Sequence, residues 1–245
     1  MKASIFLSYL SIVILRPRDI VRLSKKFHVR NCQKENGSDP LADAGLNELE
    51  ESAFKKHLKN DSDVLILGCG TGRESLALAK RGFRVAGVDM VEEAITSARE
   101  HAKRHAVAVD FFCNEFSELS LGGRSFDCAF FSLFTYEQIP SRRRRVKVLQ
   151  LAKSILKPSG KLILHFNVSE PTPLEKKLHP LYKTIALLTL GNVDLQVGDR
   201  PSPAVGFTHA FTTDQARGEL REAGFNDAIF ESIDDGAAVC VIAYV

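Results

Sequence analysis

The chain has 245 residues, 44% hydrophobic and 26% charged, with a formal net charge of +3. That is the composition of an ordinary soluble globular protein, one large α/β domain with an elaboration. So small a charge gives no field to gather nucleic acid, and no tryptophan with four tyrosines leaves little to stack on bases, so no nucleic-acid partner is expected. The five cysteines are odd in number, widely spaced and without a C-x-x-C pair, which argues against a disulfide framework and a zinc site and for a reducing cytoplasm.

The N-terminus opens on an apolar run, Ile5 to Leu15, followed by the basic stretch RPRDIVRLSKKFHVR. The run is shorter than the roughly 20 residues a bilayer span takes, and it lacks a small-residue cleavage site. Two roles fit: a helical cap packed on the domain or over its pocket, and peripheral contact of residues 1–30 with an anionic membrane surface. The loop formers Asn31, Asn36, Gly37, Ser38, Asp39 and Pro40 then mark a linker. Residues 1–45 are therefore set apart as a cap and linker from a main domain at 46–245.

In that domain a helical pattern (46–60) precedes an alternation of strands and helices. Strands are expected at 63–68, 83–89, 107–112, 125–134 and 160–167, with helices at 74–82, 91–105 and 142–158. This alternation predicts a doubly wound, mostly parallel sheet with helices on both faces. The run RRRR (142–145) is expected on a solvated helix face. The segment 167–211 has a different composition, an apolar stretch and then a loop GDRPSPAVG, and it follows the end of a strand where open α/β sheets bind ligands. Thr212 and Gln215 have capping-box spacing for a helix ending at Gly224. Two strands follow, separated by Asp234-Asp235-Gly236, and complete a seven-stranded sheet whose last strand is antiparallel.

The chemistry centres on VLILGCGTGRES (64–75), a strand running into a turn with Gly68, Gly70 and Gly72. Glycines there let the backbone approach a ligand at a helix N-terminus. A dinucleotide fingerprint would need a small residue where Arg73 stands, and a phosphate loop would need a lysine-serine pair that is missing. A third pattern, G-x-G-x-G with an acid ending the next strand, is met by Asp89, whose two oxygens match a ribose diol.

With GCGTG, Asp89 in VAGVDM, FDCAFF, LKPSGKLIL and EAGF, the chain resembles the class I S-adenosylmethionine-dependent methyltransferases over roughly residues 46–245. The resemblance implies S-adenosylmethionine as cofactor, with Gly68, Cys69, Gly70 and Gly72 around its amino-acid half. It also implies Asp89 on the ribose, Met90 on the adenine, and Asn114 or Glu115 near the adenine amino group. Phe131, Ser132 and Leu133 would line the channel to the acceptor. One departure stands out: Ile66 occupies the place where the family usually carries a carboxylate that supports the loop and the methionine amino group. Either another group, Glu74 or Arg73 or a water, supplies that support, or the site is degenerate and only binds or senses the cofactor. A Rossmann oxidoreductase is the remaining rival, and Arg73 opposes it.

Methyl transfer needs position and charge complementarity, and a base only where the acceptor loses a proton. His209, Tyr136 and His165 are the candidates to act as that base or to orient the acceptor, and Glu137 either joins them or caps the helix that follows. His28, His57, His101, His105 and His179 are taken as surface residues. No metal site is expected. The apolar N-terminus and insert predict a small hydrophobic or amphipathic acceptor, the methylated atom (O, N or C) being open.

Overall fold

The structure, a computed structural model, describes residues 3–34, 44–119, 121–233 and 236–245, with side chains in the first of these segments from residue 8 to 32. Most of the expected linker, including Asn36 to Pro40, and the separator Asp234-Asp235 lie outside the described residues.

Two helices lead: α1 (Ala3–Ile14) and α2 (Pro17–Lys34), the break falling before Pro17. Helix α3 (Glu48–His57) starts on a capping box, in which Asn47 accepts from the Glu50 N–H and Glu50 accepts from the Asn47 N–H, each at 2.9 Å. Then follow β1 (Asp63–Leu67), α4 (Arg73–Ala79), β2 (Arg84–Asp89), α5 (Glu92–Arg104), β3 (Val109–Cys113), β4 (Phe126–Phe131), α6 (Arg142–Ser154) and β5 (Leu156–Asn167). Helix α7 (Pro173–Leu188) and a hairpin, β6 (Asp199–Ser202) with β7 (Gly206–His209), make up the insert. Helix α8 (Thr213–Glu222), β8 (Asp227–Ile233) and β9 (Ala238–Tyr244) close the chain.

The sheet has seven strands in the order β3-β2-β1-β4-β5-β9-β8. All pairs from β3 to β5 are parallel, and β9 runs antiparallel to both β5 and β8. The expected doubly wound sheet is therefore present. The period-2 rule divides β1 between two core layers. Leu65 and Leu67 face the layer with Phe131, Leu149, Leu162 and Phe211, while Val64 and Ile66 face the layer with Phe54, Leu76, Ile95 and Phe130.

A third, smaller cluster joins Ile12, Val13 and Ile20 to Tyr182, Ala186, Leu195 and Phe207. It fastens the N-terminal helices to α7 and the hairpin, and Tyr9 stacks on Tyr182 with centroids 5.9 Å apart. GDRPSPAVG is not a plain loop, because Arg200 pairs with Thr208 and Pro201 with Phe207 across the hairpin.

The arginine run departs from its expected solvated face. Arg145 is fully buried and makes a forked contact with Glu219 of α8, with Nη2 donating at 2.7 Å and Nε at 2.9 Å. Its remaining donors reach the Ile139 carbonyl at 3.2 Å and Gln196 Oε1 at 2.6 Å. Burying a charge is tolerated here because each side of the guanidinium finds an acceptor. Periodicity alone could not separate Arg145 from Arg142 and Arg143, which remain at the surface.

Candidate functional site

A cavity of about 380 Å³ opens at the carboxyl ends of β1, β2 and β4, where the strand order reverses between β1 and β4. Three layers of chain enclose it. Below lie Gly68, Cys69, Gly70 and Thr71 of the turn after β1, Asp89 and Met90 after β2, and Ser132 and Leu133 after β4. Glu115, Phe116, Ile139, Pro140 and Arg144 close the sides, and α2 passes over it with Val21, Ser24, His28, Asn31 and Cys32.

The turn is shaped by its glycines. Gly68 has φ +78°, and a Cβ there would meet Thr135 Oγ1 at 2.4 Å, so a side chain is excluded on both counts. Gly70 (φ +51°) differs: a Cβ there would project into open space, the room a ligand's backbone-hugging portion needs. Gly72 does not line the cavity; it precedes α4 with φ 100° and lies against Ala98 and Phe111.

Asp89 holds the turn in place. Its Oδ2 accepts from the Gly70 N–H at 3.0 Å and its Oδ1 from the Val91 N–H at 2.9 Å. Burial pushes its carboxyl upward, opposed by those two N–H groups. Each oxygen keeps a second lone pair for a diol. Met90, Val91, Ala94 and Val148 give the adjoining wall an apolar character suited to a flat base. The residues present thus fit a nucleoside carrying a charged amino-acid tail.

The remaining expected residues divide. Glu115 reaches the cavity, where Arg144 pairs with it and Ser117 Oγ donates to it at 2.7 Å. Asn114 is not on the wall; its N–H donates to the Asp89 carbonyl at 3.0 Å. Phe131 is also off the wall, buried edge-on to Phe116 and Tyr136. The reason is strand alternation: Phe131 points into the core layer of Leu65 and Leu67, away from the open edge.

None of the three expected proton carriers lines the cavity. Tyr136 is buried, donates to Glu219 Oε2 at 2.6 Å and stacks on Phe211; burial and the Glu219 charge push its hydroxyl well up. His209 is buried with Nδ1 2.7 Å from Asp199 Oδ1, and His165 is buried against Phe130. Burial lowers both imidazoles. Tyr136 and His209 belong instead to the network around Arg145, which lies behind the cavity wall at Ile139.

Two histidines taken as surface residues are placed elsewhere. His101 is buried with Nδ1 3.1 Å from the Thr71 carbonyl. His28 lies on the cavity wall with Nε2 2.8 Å from Gln138 Oε1. Gln138 turns its amide nitrogen to the Phe134 carbonyl at 3.3 Å, so its oxygen faces His28. With that oxygen as its partner, the imidazole Nε2 is placed to donate. The missed signal was the spacing of Val21, Ser24 and His28, which places one side of α2 over the site.

Residues 64–160 match a family model described as a methyltransferase domain. Residues 64–160 carry a methyltransferase domain. Among the relatives of this domain is the ubiquinone biosynthesis O-methyltransferase of Coxiella burnetii, 35% identical over 99 residues, covering 40% of this chain and 41% of the relative. The enzyme of the same name from Actinobacillus pleuropneumoniae is 31% identical over 103 residues, covering 40% of this chain and 43% of its own length. The match thus spans about two fifths of these relatives.

Solved methyltransferase structures are similar over more of the chain. A Burkholderia thailandensis 1,6-didemethyltoxoflavin-N1-methyltransferase, with bound 1,6-didemethyltoxoflavin and S-adenosylhomocysteine, has a TM-score of 0.64 at 20% identity, covering 93% of this chain and 88% of that one. An S-adenosylmethionine-dependent methyltransferase from Methanosarcina mazei has a TM-score of 0.58 at 23% identity, covering 82% and 96%. At such identities the likeness is one of fold.

Proposed function

We propose that this chain transfers the methyl group of S-adenosylmethionine to a small hydrophobic or amphipathic acceptor. The observation that carries this reading is the cavity at the β1/β4 switch point, with Asp89 bridged to Gly70 and open space above the Gly70 Cα. The sulfonium supplies an activated methyl group when the cofactor is bound. The chain's residues do the positioning: the turn presents its backbone to the amino-acid tail, Asp89 takes the ribose, and Met90 and Val91 pack on the base. Helix α2 covers the cavity and excludes water. His28, on the cavity wall with its ring held by Gln138, is the side chain placed to take a proton from the acceptor.

The apolar wall formed by Val21, Leu133, Ile139 and Pro140 supports this acceptor class. A ubiquinone biosynthesis O-methyltransferase among the relatives and a 1,6-didemethyltoxoflavin-N1-methyltransferase among the structural neighbours both support a small organic acceptor. The same reading extends to where the acceptor is met. Ile14, Leu187, Leu188, Leu190 and Val193 are exposed where the ends of α1 and α7 adjoin, with Arg16 bonded to the Leu190 carbonyl and Lys183 to that of Val193. An apolar ledge edged by cations suits peripheral contact with an anionic lipid surface. Among the described residues no helix is long and apolar enough to cross a membrane.

Calorimetry tests the reading. S-adenosylmethionine is expected to bind and NADH is not, and Asp89→Ala is expected to weaken S-adenosylmethionine at least tenfold, the loss of a charged hydrogen-bonding partner. Failure of the cofactor to bind at millimolar concentration would overturn it; unchanged affinity in Asp89→Ala would overturn the ribose assignment.

A further inference from the structure

Ile66 is fully buried in the apolar layer with Val64, Leu76 and Phe130, so the strand before the turn offers nothing to a charged ligand. The adjoining end of the cavity is nevertheless strongly polar. Arg73 donates to both Glu50 oxygens at 2.6 Å and to Glu74 Oε1 at 2.8 Å, and its remaining Nη1 contact is the Gly45 carbonyl. Glu50 and Glu74 are both buried. Two carboxyl groups share one guanidinium, so the cluster is one cation short of full pairing when both are ionised. Burying an unmatched charge is costly, and a cation entering from the cavity would relieve it.

The two acids are not equivalent. Glu50 lies behind the wall, with Oε2 also accepting from the Asn47 N–H of the α3 capping box. Glu74 is on the wall, in the first turn of α4, and receives the Ser132 hydroxyl from the end of β4. Burial raises the Glu74 carboxyl, Arg73 opposes this and Glu50 adds to it, as expected of an acid short of positive partners. The other acids on the wall are engaged elsewhere: Asp89 by the Gly70 and Val91 N–H groups, Glu115 by Arg144 and Ser117.

We infer that Glu74, oriented by Arg73 and Ser132, receives the ammonium group of the cofactor's amino-acid tail, a task for which the carboxyl end of β1, Ile66 and Leu67, carries no acid. With the ammonium in place the cluster holds two carboxylates and two cations. The inference rests on the reading of the cavity as an S-adenosylmethionine site. The carboxylate has moved from the strand to the helix that follows the turn, and Glu50 with Arg73 forms the brace that fixes it.

The test is calorimetry with S-adenosylhomocysteine and with its analogue lacking the α-amino group, on wild type and Glu74→Gln. Glutamine keeps the shape and removes the charge. Wild type should prefer the amino-bearing ligand, and Glu74→Gln should lower affinity for that ligand by roughly 10- to 100-fold, the scale of a charged hydrogen bond. Affinity for the des-amino analogue should stay within about twofold, since the missing charge has nothing to meet. Equal weakening of both ligands, or none, overturns the inference. Failure of wild type to bind S-adenosylhomocysteine strikes instead at the proposed function. Should Glu74→Gln not fold by its thermal melt, Ser132→Ala serves: it should reduce the preference for the amino group, and an undiminished preference overturns the assignment.

Discussion

At the scale of single residues, environment decides what an acid or a histidine does. Glu137 belongs to the same short stretch as Tyr136, and its Oε1 accepts from the Asn167 N–H at the end of β5. Burial pushes its carboxyl up to about 7, against the hydrogen bonds from Asn167 and Thr208. An unfolded glutamate ionises near its ordinary 4.5, so between those two values the folded chain holds the extra proton. Stability from this group is full below the unfolded value and is lost as pH rises through the folded one, by about 3 kcal/mol at most. Glu137→Gln should flatten that part of the pH–stability curve, measured by urea unfolding from pH 4.5 to 7.5. An unaltered slope would show that the proton sits elsewhere. Glu137, Tyr136 and His209 thus serve the join between sheet and insert, and His28 takes the cavity position that sequence reading gave to Tyr136 and His209.

At the scale of elements, the end of α7 shows a local rule set aside. The position after the C-cap Thr189 favours glycine, yet Leu190 occupies it with φ 51°, and Gly191 comes one place later. Leu190 is 68% exposed, so its side chain gains little packing to offset the left-handed backbone. Gly191 cannot be moved back, because a Cβ there would meet the Val13 and Ile14 carbonyls of α1 at 2.5–2.6 Å. Leu190→Gly should therefore stabilise the fold by about 1 kcal/mol, read as a shift in urea midpoint with the slope unchanged. No gain would mean that the leucine makes contacts worth the strain. Helix α3 starts on a capping box, whereas α4 starts from the left-handed Gly72 with no side-chain cap, and Arg73 ties the capping-box Glu50 to Glu74 in the first turn of α4.

At the scale of the whole molecule, α1, α2, α7 and the hairpin form a small core of their own, and α2 extends from it over the cavity. The ledge at the ends of α1 and α7 lies on this same unit. Because Leu188 is 80% exposed, Leu187→Glu/Leu188→Glu should fold normally while abolishing sedimentation with anionic vesicles at low salt. Wild type failing to sediment would refute the membrane contact. The alternating strands and helices, the glycine turn and Asp89 were legible in the sequence because each is fixed by local periodicity, by turn chemistry or by a spacing along one chain segment. The mostly parallel seven-stranded sheet followed from that alternation, since parallel strands require crossover helices, while its strand order is given by the tertiary structure. The burial of Arg145, the withdrawal of Tyr136, His165 and His209 from the cavity, the arrival of His28 and the Glu50–Arg73–Glu74 brace were decided by tertiary structure alone. Each depends on residues from separate elements meeting, and the energy of a buried charge or hydrogen bond is set by those partners rather than by neighbours in sequence.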